Sequence, residues 1–420
     1  MMGGDGIFSS KAESWIMKHF LTILAIWLTC ACSTGNGPRK AIVILVDGVP
    51  MDVVERLHVP AVYEIARTGT LGPCHVGGET AMYNETPTIS AVGYNCMLTG
   101  TWANKHNVFG NHGLSPNYNY WSIFRIVEEQ EKPLTTAIFS SWTDNRTVLL
   151  GEGKEETGGL RLDYAFDGYD LDTVRFPHKE KHLHVFDYDE EVARAAEKCI
   201  REDAPDFSWV YLWYTDDAFH IMGNGSYSDE YVLKAGEQIG RIWEAVQYRQ
   251  KHFHEDWMVI VTTDHGRTLN GYHHGGQTPR ERATWIASNK KLNDRVRKGK
   301  AAIVDINPTV CEFLGLEVPE ALQKERDGVS LLGEAEVEDL CISTYDKDIV
   351  LSWTALDPDA QVRVYSATED LYKTGGVDNW EEVATLKAGA ETCRFPHGDA
   401  RFHKVSVVSS HECLNRWLVE

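Results

Sequence analysis

The chain has few of the features that would make it a disulfide scaffold or a nucleic-acid binder. It has nine cysteines in 420 residues. With Cys30 and Cys32 of the N-terminal segment set aside, the remaining seven, at positions 74, 96, 199, 311, 341, 393 and 413, form no CxxC pair. Their scatter argues against a cysteine metal site or a dense disulfide framework, and their odd number would leave at least one free thiol even in an oxidising compartment. Cys96 and Cys311 fall in apolar helical patterns, where a small buried hydrophobe is expected. Positive charge is also scarce: 41 Lys and Arg against 62 Asp and Glu give a formal net charge of −21. Apart from the KEKHLH run at Lys179 to His184, no basic stripe exists to displace counterions from a phosphate backbone, which argues against nucleic acid as the main partner. A compact anion held at metal ions is not excluded.

The composition, 43% hydrophobic and 25% charged, is that of an ordinary globular protein long enough for one large α/β domain and a small one. The first 37 residues read as an extension, a signal segment and a linker. MKHFLTILAIWLTCACS, from Met17 to Ser33, has a positive start, an apolar stretch and then small residues and cysteines. It resembles a bacterial lipoprotein signal with Cys32 as the lipidated residue and Cys30 as the competitor, and Met17 is a better start than Met1. This implies export to the periplasm or outer membrane and a lipid-anchored association with the membrane. The stretch is short for a spanning helix.

From residue 38 to about 335, apolar β-branched runs at Ala41 to Val46, Thr136 to Phe139, Ser208 to Tyr214, Trp257 to Thr262 and Ala283 to Ala287 alternate with amphipathic helical stretches, notably Asp189 to Glu202 and Asp229 to Arg249. That alternation predicts an α/β domain with a doubly wound, mainly parallel sheet and helices on both faces. A charged, Gly-rich segment at about 151–184 reads as an insertion over the site or a long surface loop. The pattern changes near Glu334 to Glu338. From 340 to 420, LCISTY, IVLSWTAL, QVRVYSA, WEEVATLK, TCRFP and HKVSVVSS predict a small all-β sandwich that resembles a fibronectin type III module. Such a module is expected to act as a spacer or to dock a glycan or a protein.

The chemistry-bearing residues stand where the strands end. VILVDG (Val43 to Gly48) and VIVTTDHG (Val259 to Gly266) are apolar runs finishing in acidic or imidazole groups, with TDDAFH (Thr215 to His220) between them and YHHGG (Tyr272 to Gly276) after. Ligands would then project from the carboxyl ends of buried parallel strands. Asp47, a hydroxyl in ETPTIS, Asp216 and His220, Asp264 and His265, and His274 divide into two metal sites, and mixed Asp and His ligands suit zinc better than magnesium or calcium. The hydroxyl has to open a helix, and Ser90, at the head of SAVGYNCMLTG after the Pro87 turn, fits, so that backbone N–H groups meet a phosphoryl oxygen. Thr88 competes if the turn is registered differently, and His273 competes with His274. His75, His106 and His112 read as structural or rim histidines, and Trp209, Tyr211, Trp213 and Tyr214 as core and pocket wall.

With those motifs in order, the chain resembles the alkaline phosphatase superfamily, and within it the type I phosphodiesterase/nucleotide pyrophosphatase branch, over roughly Arg39 to Leu332, including the closing DGVSLL (Asp327 to Leu332). In that family a Thr or Ser precedes the TG of a [LVM]xTG step by nine residues, and an Asn in a GN pair follows that Gly by eleven; here these are Ser90, Thr99, Gly100 and Asn111. The resemblance implies two zinc ions, one held by Asp47, Ser90, Asp264 and His265 and the other by Asp216, His220 and His274. It also implies a covalent phosphoserine at Ser90, with Asn111 donating to the transferring phosphoryl oxygen. The aromatic-Pro-Asn that usually follows the nucleophile is replaced by Ala91, Val92 and Gly93, so the substrate pocket is expected to be rebuilt.

The function these readings imply is an exported zinc-dependent phosphodiesterase or nucleotide pyrophosphatase acting on a small phosphodiester or nucleotide-like substrate. Within the superfamily the rivals are a phosphomonoesterase, a phosphonate hydrolase and a phosphoethanolamine-type transferase. A monoesterase would need extra cations, and Lys105 and Arg125 are the nearby ones. No Cys/Ser-x-Pro-x-Arg motif supports a sulfatase. A rival of another class is a surface-anchored binding protein with a degenerate catalytic domain, against which the complete ligand set counts.

Overall fold

A computed structural model describes residues 37–419; the Met17–Ser33 segment, with Cys30 and Cys32, lies outside the described residues. The α/β region is built on seven strands: β1 (Arg39–Val46), β2 (Thr70–His75), β3 (Thr136–Ser140), β4 (Tyr164–Phe166), β5 (Phe207–Leu212), β6 (Asp256–Thr262) and β7 (Ala283–Ser288). Their order is β2-β7-β6-β1-β5-β3-β4. The β6-β1-β5-β3-β4 run pairs in parallel, and β7 is antiparallel to both β6 and β2.

β1 lies between β5 and β6 and is buried from Ala41 to Val46. A strand covered on both faces needs a continuous apolar run, which AIVILV supplies. Its side chains alternate between two cores. Ala41, Val43 and Leu45 pack with the helices at Ser90–Thr99, Ile123–Glu128 and Ile306–Leu314. Ile42, Ile44 and Val46 pack with those at Met51–Leu57, Pro60–Ala66, Leu183–Glu202 and Ser226–Phe253. Each fully buried Val, Leu or Ile contributes about 1.5–3 kcal/mol. Breaking β1 would therefore remove both cores' shared wall.

The α/β region differs from the sequence reading in three places. β5 stops at Leu212, not Tyr214, because the Asp189 carboxylate accepts the Trp213 and Tyr214 N–H groups at 2.8 Å each, which diverts them from the ladder and starts the Tyr214–Met222 helix. Part of the 151–184 segment is sheet, since β4 pairs in parallel with β3 and stacks Phe166 on Phe139 at 5.1 Å. The end of that segment packs on the Tyr214–Met222 helix, where Tyr214 donates to the Lys181 carbonyl at 2.7 Å and His182 meets Asp217 at 3.1 Å. Edge strand β2 was not foreseen, because TLGPCH lacks an apolar alternation.

The C-terminal strands are β8 (Val337–Tyr345), β9 (Asp348–Ala355), β10 (Gln361–Ala367), β11 (Glu381–Lys387), β12 (Thr392–Pro396), β13 (Phe402–Val408) and β14 (Cys413–Val419). They form two antiparallel sheets, β12-β9-β8 and β11-β10-β13-β14, around a core that includes Leu351, Trp353, Val362, Val364, Val405 and Val407. β14 is a seventh strand beyond the six legible in the sequence. This unit is fastened to the α/β region by buried polar contacts. Lys404 Nζ reaches Glu325 Oε1 at 2.5 Å, Asp370 at 2.9 Å and Asp378 at 2.7 Å, and Lys105 Nζ reaches Asp327 at 2.7 Å and Asn415 at 3.0 Å. All seven described cysteines are free. Among the described residues, no helix is long and apolar enough to cross a membrane.

Candidate active site

Two groups of acidic and imidazole side chains stand beyond the carboxyl ends of β1, β5 and β6. Asp47, Asp264 and His265 form one, Asp216, His220 and His274 the other, and within each group a ligand atom from every residue lies within 4.8 Å of the others. Asp47 follows the last residue of β1, and Asp264 and His265 follow β6, so strand ends bring them together from positions more than two hundred residues apart. Asp216 and His220, four apart, share one face of the Tyr214–Met222 helix. His274 comes from the loop after β6.

The backbone between these groups is tightly constrained. Gly48 turns the chain at φ +63°, and a Cβ there would sit 2.4 Å from the Arg267 guanidinium and 2.8 Å from Asp216 Oδ1. Its N–H donates to Asp264 Oδ1 at 3.0 Å. Gly93 faces Asp264, where a Cβ would lie 2.8 Å from the Asp264 carbonyl oxygen and 2.9 Å from its Cβ. Glycine at position 93 therefore lets the helix opened by Ser90 lie directly against the loop that carries Asp264.

The donor set fits divalent cations. The imidazoles of His265 and His274 place Nδ1 at 3.0 Å from the Gly266 carbonyl and 2.9 Å from the Thr88 carbonyl, and His220 hydrogen bonds the Tyr272 backbone. Nδ1–H donation to a carbonyl leaves the Nε2 lone pair facing inward, the orientation that metal-ligating histidines adopt. His220 Nε2 and His274 Nε2 are 3.1 Å apart, and the His265 and His274 rings stack at 3.7 Å, linking the two groups. Asp47 Oδ2 accepts from Tyr211 at 2.7 Å and also from Tyr94, which leaves Asp47 Oδ1 buried with no hydrogen-bond partner, as is Asp264 Oδ2. Both orphaned oxygens lie close to His265 Nε2, at 3.4 and 3.2 Å. Converging lone pairs of this kind repel one another unless a cation or proton sits among them.

The electrostatics agree. Burial, reinforced by the Asp264 and Asp216 charges, pushes Asp47 well above the usual carboxylate range, and burial pushes Asp264 up to about 7. Burial also holds His265 well below its ordinary value and lowers His274. Asp216 is the exception: burial opposes its ionisation, but Arg267, His220 and His274 together hold it below the usual range. His220 is raised by its hydrogen bond to Asp216.

Ser90 opens the Ser90–Thr99 helix, is 5% exposed, and places Oγ 3.2 Å from His265 Nε2. Asn111 lies across from it and accepts the Ala91 N–H at 2.9 Å through Oδ1. One helix N–H expected to meet a phosphoryl oxygen is thus taken by Asn111. Thr88 is fully buried, and its hydroxyl donates to the Gly276 carbonyl at 2.8 Å and accepts the Gly275 N–H at 2.9 Å. The Thr88 hydroxyl is committed to that loop. His273 is exposed and outside both groups.

His106 is buried against Cys96, 3.2 Å from its sulfur, and His75 holds the Ala301 carbonyl at 2.7 Å. His112 lines the cavity beside Ser90, with Tyr211 and Trp213, whereas Trp209 belongs to the core. Lys105 is turned toward the C-terminal unit and Arg125 lies over Trp121 at 4.1 Å, so neither reaches that cavity.

Sequence reasoning missed Tyr94, Arg267, Asp189 and Trp142, and read Tyr211 only as core and pocket wall. Tyr94, one helical turn after Ser90, and Tyr211 together orient Asp47. Arg267, fully buried, binds Asp216 and the carbonyls of Gly48 at 2.7 Å, Gly271 at 3.3 Å and Asp216 at 3.2 Å. Asp189 ties Ser141 Oγ, at 2.5 Å, to the Trp213 and Tyr214 N–H groups. Trp142 lines the cavity from the loop after β3. The only local signals were an arginine directly after DHG and an acidic residue inside an otherwise amphipathic helix.

A family model described as type I phosphodiesterase/nucleotide pyrophosphatase matches residues 41–355. No curated protein matches the chain. Among solved structures, a 2-O GAG sulfatase is 11% identical over 86% of this chain and 85% of its own, with a TM-score of 0.50. Murine ectonucleotide pyrophosphatase/phosphodiesterase 5 is 14% identical over 67% of this chain and 96% of its own, with a TM-score of 0.45. Phosphonoacetate hydrolase from Sinorhizobium meliloti 1021, in complex with phosphonoformate, is 18% identical over 55% of this chain and 57% of its own, with a TM-score of 0.40.

Proposed function

The chain belongs to the type I phosphodiesterase/nucleotide pyrophosphatase family, and from that premise we propose that it is an exported, zinc-dependent phosphodiesterase acting through a covalent phosphoserine at Ser90. Membership makes it a hydrolase of phosphoester or pyrophosphate bonds. The observation that carries the finer reading is the placement of Ser90 Oγ, at a helix start, 3.2 Å from one of two adjacent Asp/His groups.

Asp47, Ser90, Asp264 and His265 would hold one zinc, and Asp216, His220 and His274 the other. Bound there, zinc would supply Lewis acidity that favours the Ser90 alkoxide and the departing oxygen. Ser90 Oγ attacks phosphorus in line, forming the Ser–O–P bond as the P–O bond to the leaving alcohol breaks and that oxygen takes up a proton. Water then cleaves the Ser–O–P bond and returns Ser90 to its starting state. Through this sequence the Asn111 amide donates to a phosphoryl oxygen, and Tyr94 and Tyr211 keep Asp47 oriented.

A diester is favoured over a monoester because no Lys or Arg lines the cavity beside Ser90, so the additional negative charge of a terminal phosphate would meet no side-chain cation there. We read Met17–Ser33 as the export signal, with lipidation at Cys32 or Cys30, and the C-terminal unit as a fibronectin type III-like module that docks a glycan or a protein. Hydrolysis of bis(p-nitrophenyl) phosphate, lost on chelation and restored by zinc, at a rate well above that for p-nitrophenyl phosphate, is the expected result. A zinc-replete protein inert toward the diester would refute the assignment.

A further inference from the structure

The two Asp/His groups are unequal in charge. Asp47 and Asp264 put two carboxylates into the first, and among the described residues no Lys or Arg pairs with either. The second has a single carboxylate, Asp216, and that carboxylate is already paired with the Arg267 guanidinium. Arginine keeps its charge at any working pH. Two carboxylates with no cation therefore face the Ser90 side, whereas one carboxylate and one cation cancel on the His220 and His274 side.

Asp216 is not the only group that fixes the guanidinium. Arg267 is 0% exposed. Its Nε donates to the Gly48 carbonyl at 2.7 Å, its Nη1 to the Gly271 carbonyl at 3.3 Å, and its Cζ lies 5.0 Å from the centre of the Phe219 ring. A Cβ at residue 48 would sit 2.4 Å from Nη2, so glycine there makes room for the charge. The end of β1, the Tyr214–Met222 helix and the loop leading to His274 thus close on one immobile cation. Nη2 takes Asp216 Oδ1, which leaves Oδ2, 3.3 Å from His220 Nε2, turned toward the imidazoles. A divalent ion entering this group meets a buried positive charge that water cannot screen.

We propose that Arg267 makes the two cation sites unequal: the site of Asp47, Ser90, Asp264 and His265 holds zinc tightly, whereas that of Asp216, His220 and His274 binds it weakly and exchanges it. Turnover then follows the ambient zinc concentration through the second site, which serves the departing oxygen. The inference rests on the two-zinc phosphodiesterase reading above and adds a means of regulation to it.

The test titrates the metal-stripped full chain with Zn²⁺ by calorimetry, with bis(p-nitrophenyl) phosphate hydrolysis measured at each point. The parent should show two steps whose Kd values differ by at least about tenfold, and hydrolysis should rise along the weaker step. His220→Ala should abolish the weaker step alone, which assigns it. Arg267→Met, which removes the charge and keeps an unbranched side chain, should tighten the weaker step by about tenfold or more and leave the tight step in place. Arg267→Lys retains the charge and should leave the weaker step weak, a result that a purely positional role for the guanidinium fork would not give. Equal Kd values in the parent would overturn the inference without any variant, whether or not Arg267→Met folds. A weaker second step in an Arg267→Met protein that melts with the parent would also overturn it, by showing that the guanidinium serves only to position Asp216. Two unequal steps in a protein inert toward the diester would instead refute the phosphodiesterase reading and leave the unequal loading standing.

Discussion

Replacing Ser90 and Thr88 in turn separates chemistry from architecture two residues apart. Among the described residues the Ser90 hydroxyl hydrogen bonds His265 Nε2, at 3.2 Å, so Ser90→Ala removes one hydrogen bond, about 0.5–1.5 kcal/mol of stability. It also removes the nucleophile, and loss of a covalent route of this kind lowers turnover by up to about 10⁶-fold. Thr88→Val does the opposite. It strips the hydroxyl that serves the Gly275 N–H and the Gly276 carbonyl from a fully buried site, leaving those groups unsatisfied at about 1–3 kcal/mol. Its Val methyl preserves the packing. The assays are steady-state hydrolysis of bis(p-nitrophenyl) phosphate, zinc content per chain and thermal melting. Ser90→Ala should retain most of its zinc and its melting temperature and lose turnover. Thr88→Val should melt lower yet turn over within about tenfold of the parent, since the shift in the His274 loop is shared with the Thr88 carbonyl contact at 2.9 Å, which the substitution keeps. Near-normal hydrolysis by Ser90→Ala together with an inactive, well-folded Thr88→Val would move the nucleophile to Thr88 and refute the reasoning.

Asn111→Ala should reduce kcat by about 10²–10³, or ~2.7–4 kcal/mol, if its amide acts as a single oxyanion donor; an unchanged kcat would assign it to capping the helix through Ala91 alone. Asp189→Asn tests a buried acid outside the metal groups. Burial raises Asp189 to about 7, above the ~3.9 of an unfolded chain, so its contribution to stability is fully present below about pH 4 and is lost as pH rises through about 7. The substitution should remove up to ~1.4 kcal/mol per pH unit of that decline, and parallel stability curves for the two proteins would show that Asp189 does not carry the extra proton. Lys404→Met leaves Glu325 and Asp378, both buried, without their shared counter-charge and should destabilise the chain by about 3–5 kcal/mol, with Glu325→Gln restoring part of the loss; a denaturation midpoint equal to the parent's would refute the network's role.

What was legible in the sequence followed from the chemistry of single strands and their ends. AIVILV and MVIVT announce buried parallel strands because a strand covered on both faces has no polar positions, and the aspartates and histidines immediately after them are visible for the same reason. Pairings between distant segments were not legible. The Tyr94–Asp47–Tyr211 contacts, the Arg267 clamp and the Asp189 bridge each join positions whose proximity is set by tertiary packing, and none has a local signature. β14 escaped because CLNRWLV mixes polar and apolar residues without strict alternation. β4 escaped because three residues between glycines and acids carry too little pattern, although the aromatic stack on Phe139 decides their conformation.

The way the C-terminal unit is attached bears on the placement of Ser90. The helix carrying Ser90 is held at its start by Asn111 Oδ1 on the Ala91 N–H. At its other end, the Gly100 carbonyl accepts the Asp327 and Gly328 N–H groups at 2.8 and 3.1 Å. Asp327 also accepts the Trp102 N–H at 2.8 Å and pairs with Lys105, whose third partner is Asn415 of β14. A chain of short polar contacts therefore runs from the last strand of the C-terminal unit to the far end of the Ser90–Thr99 helix. Because Lys105 is 0% exposed, each of its contacts is made where water cannot substitute. The closing DGVSLL segment is thus more than a boundary: its aspartate is the joint through which the β unit fixes the axis of the helix, and with it the position of Ser90 relative to the two Asp/His groups.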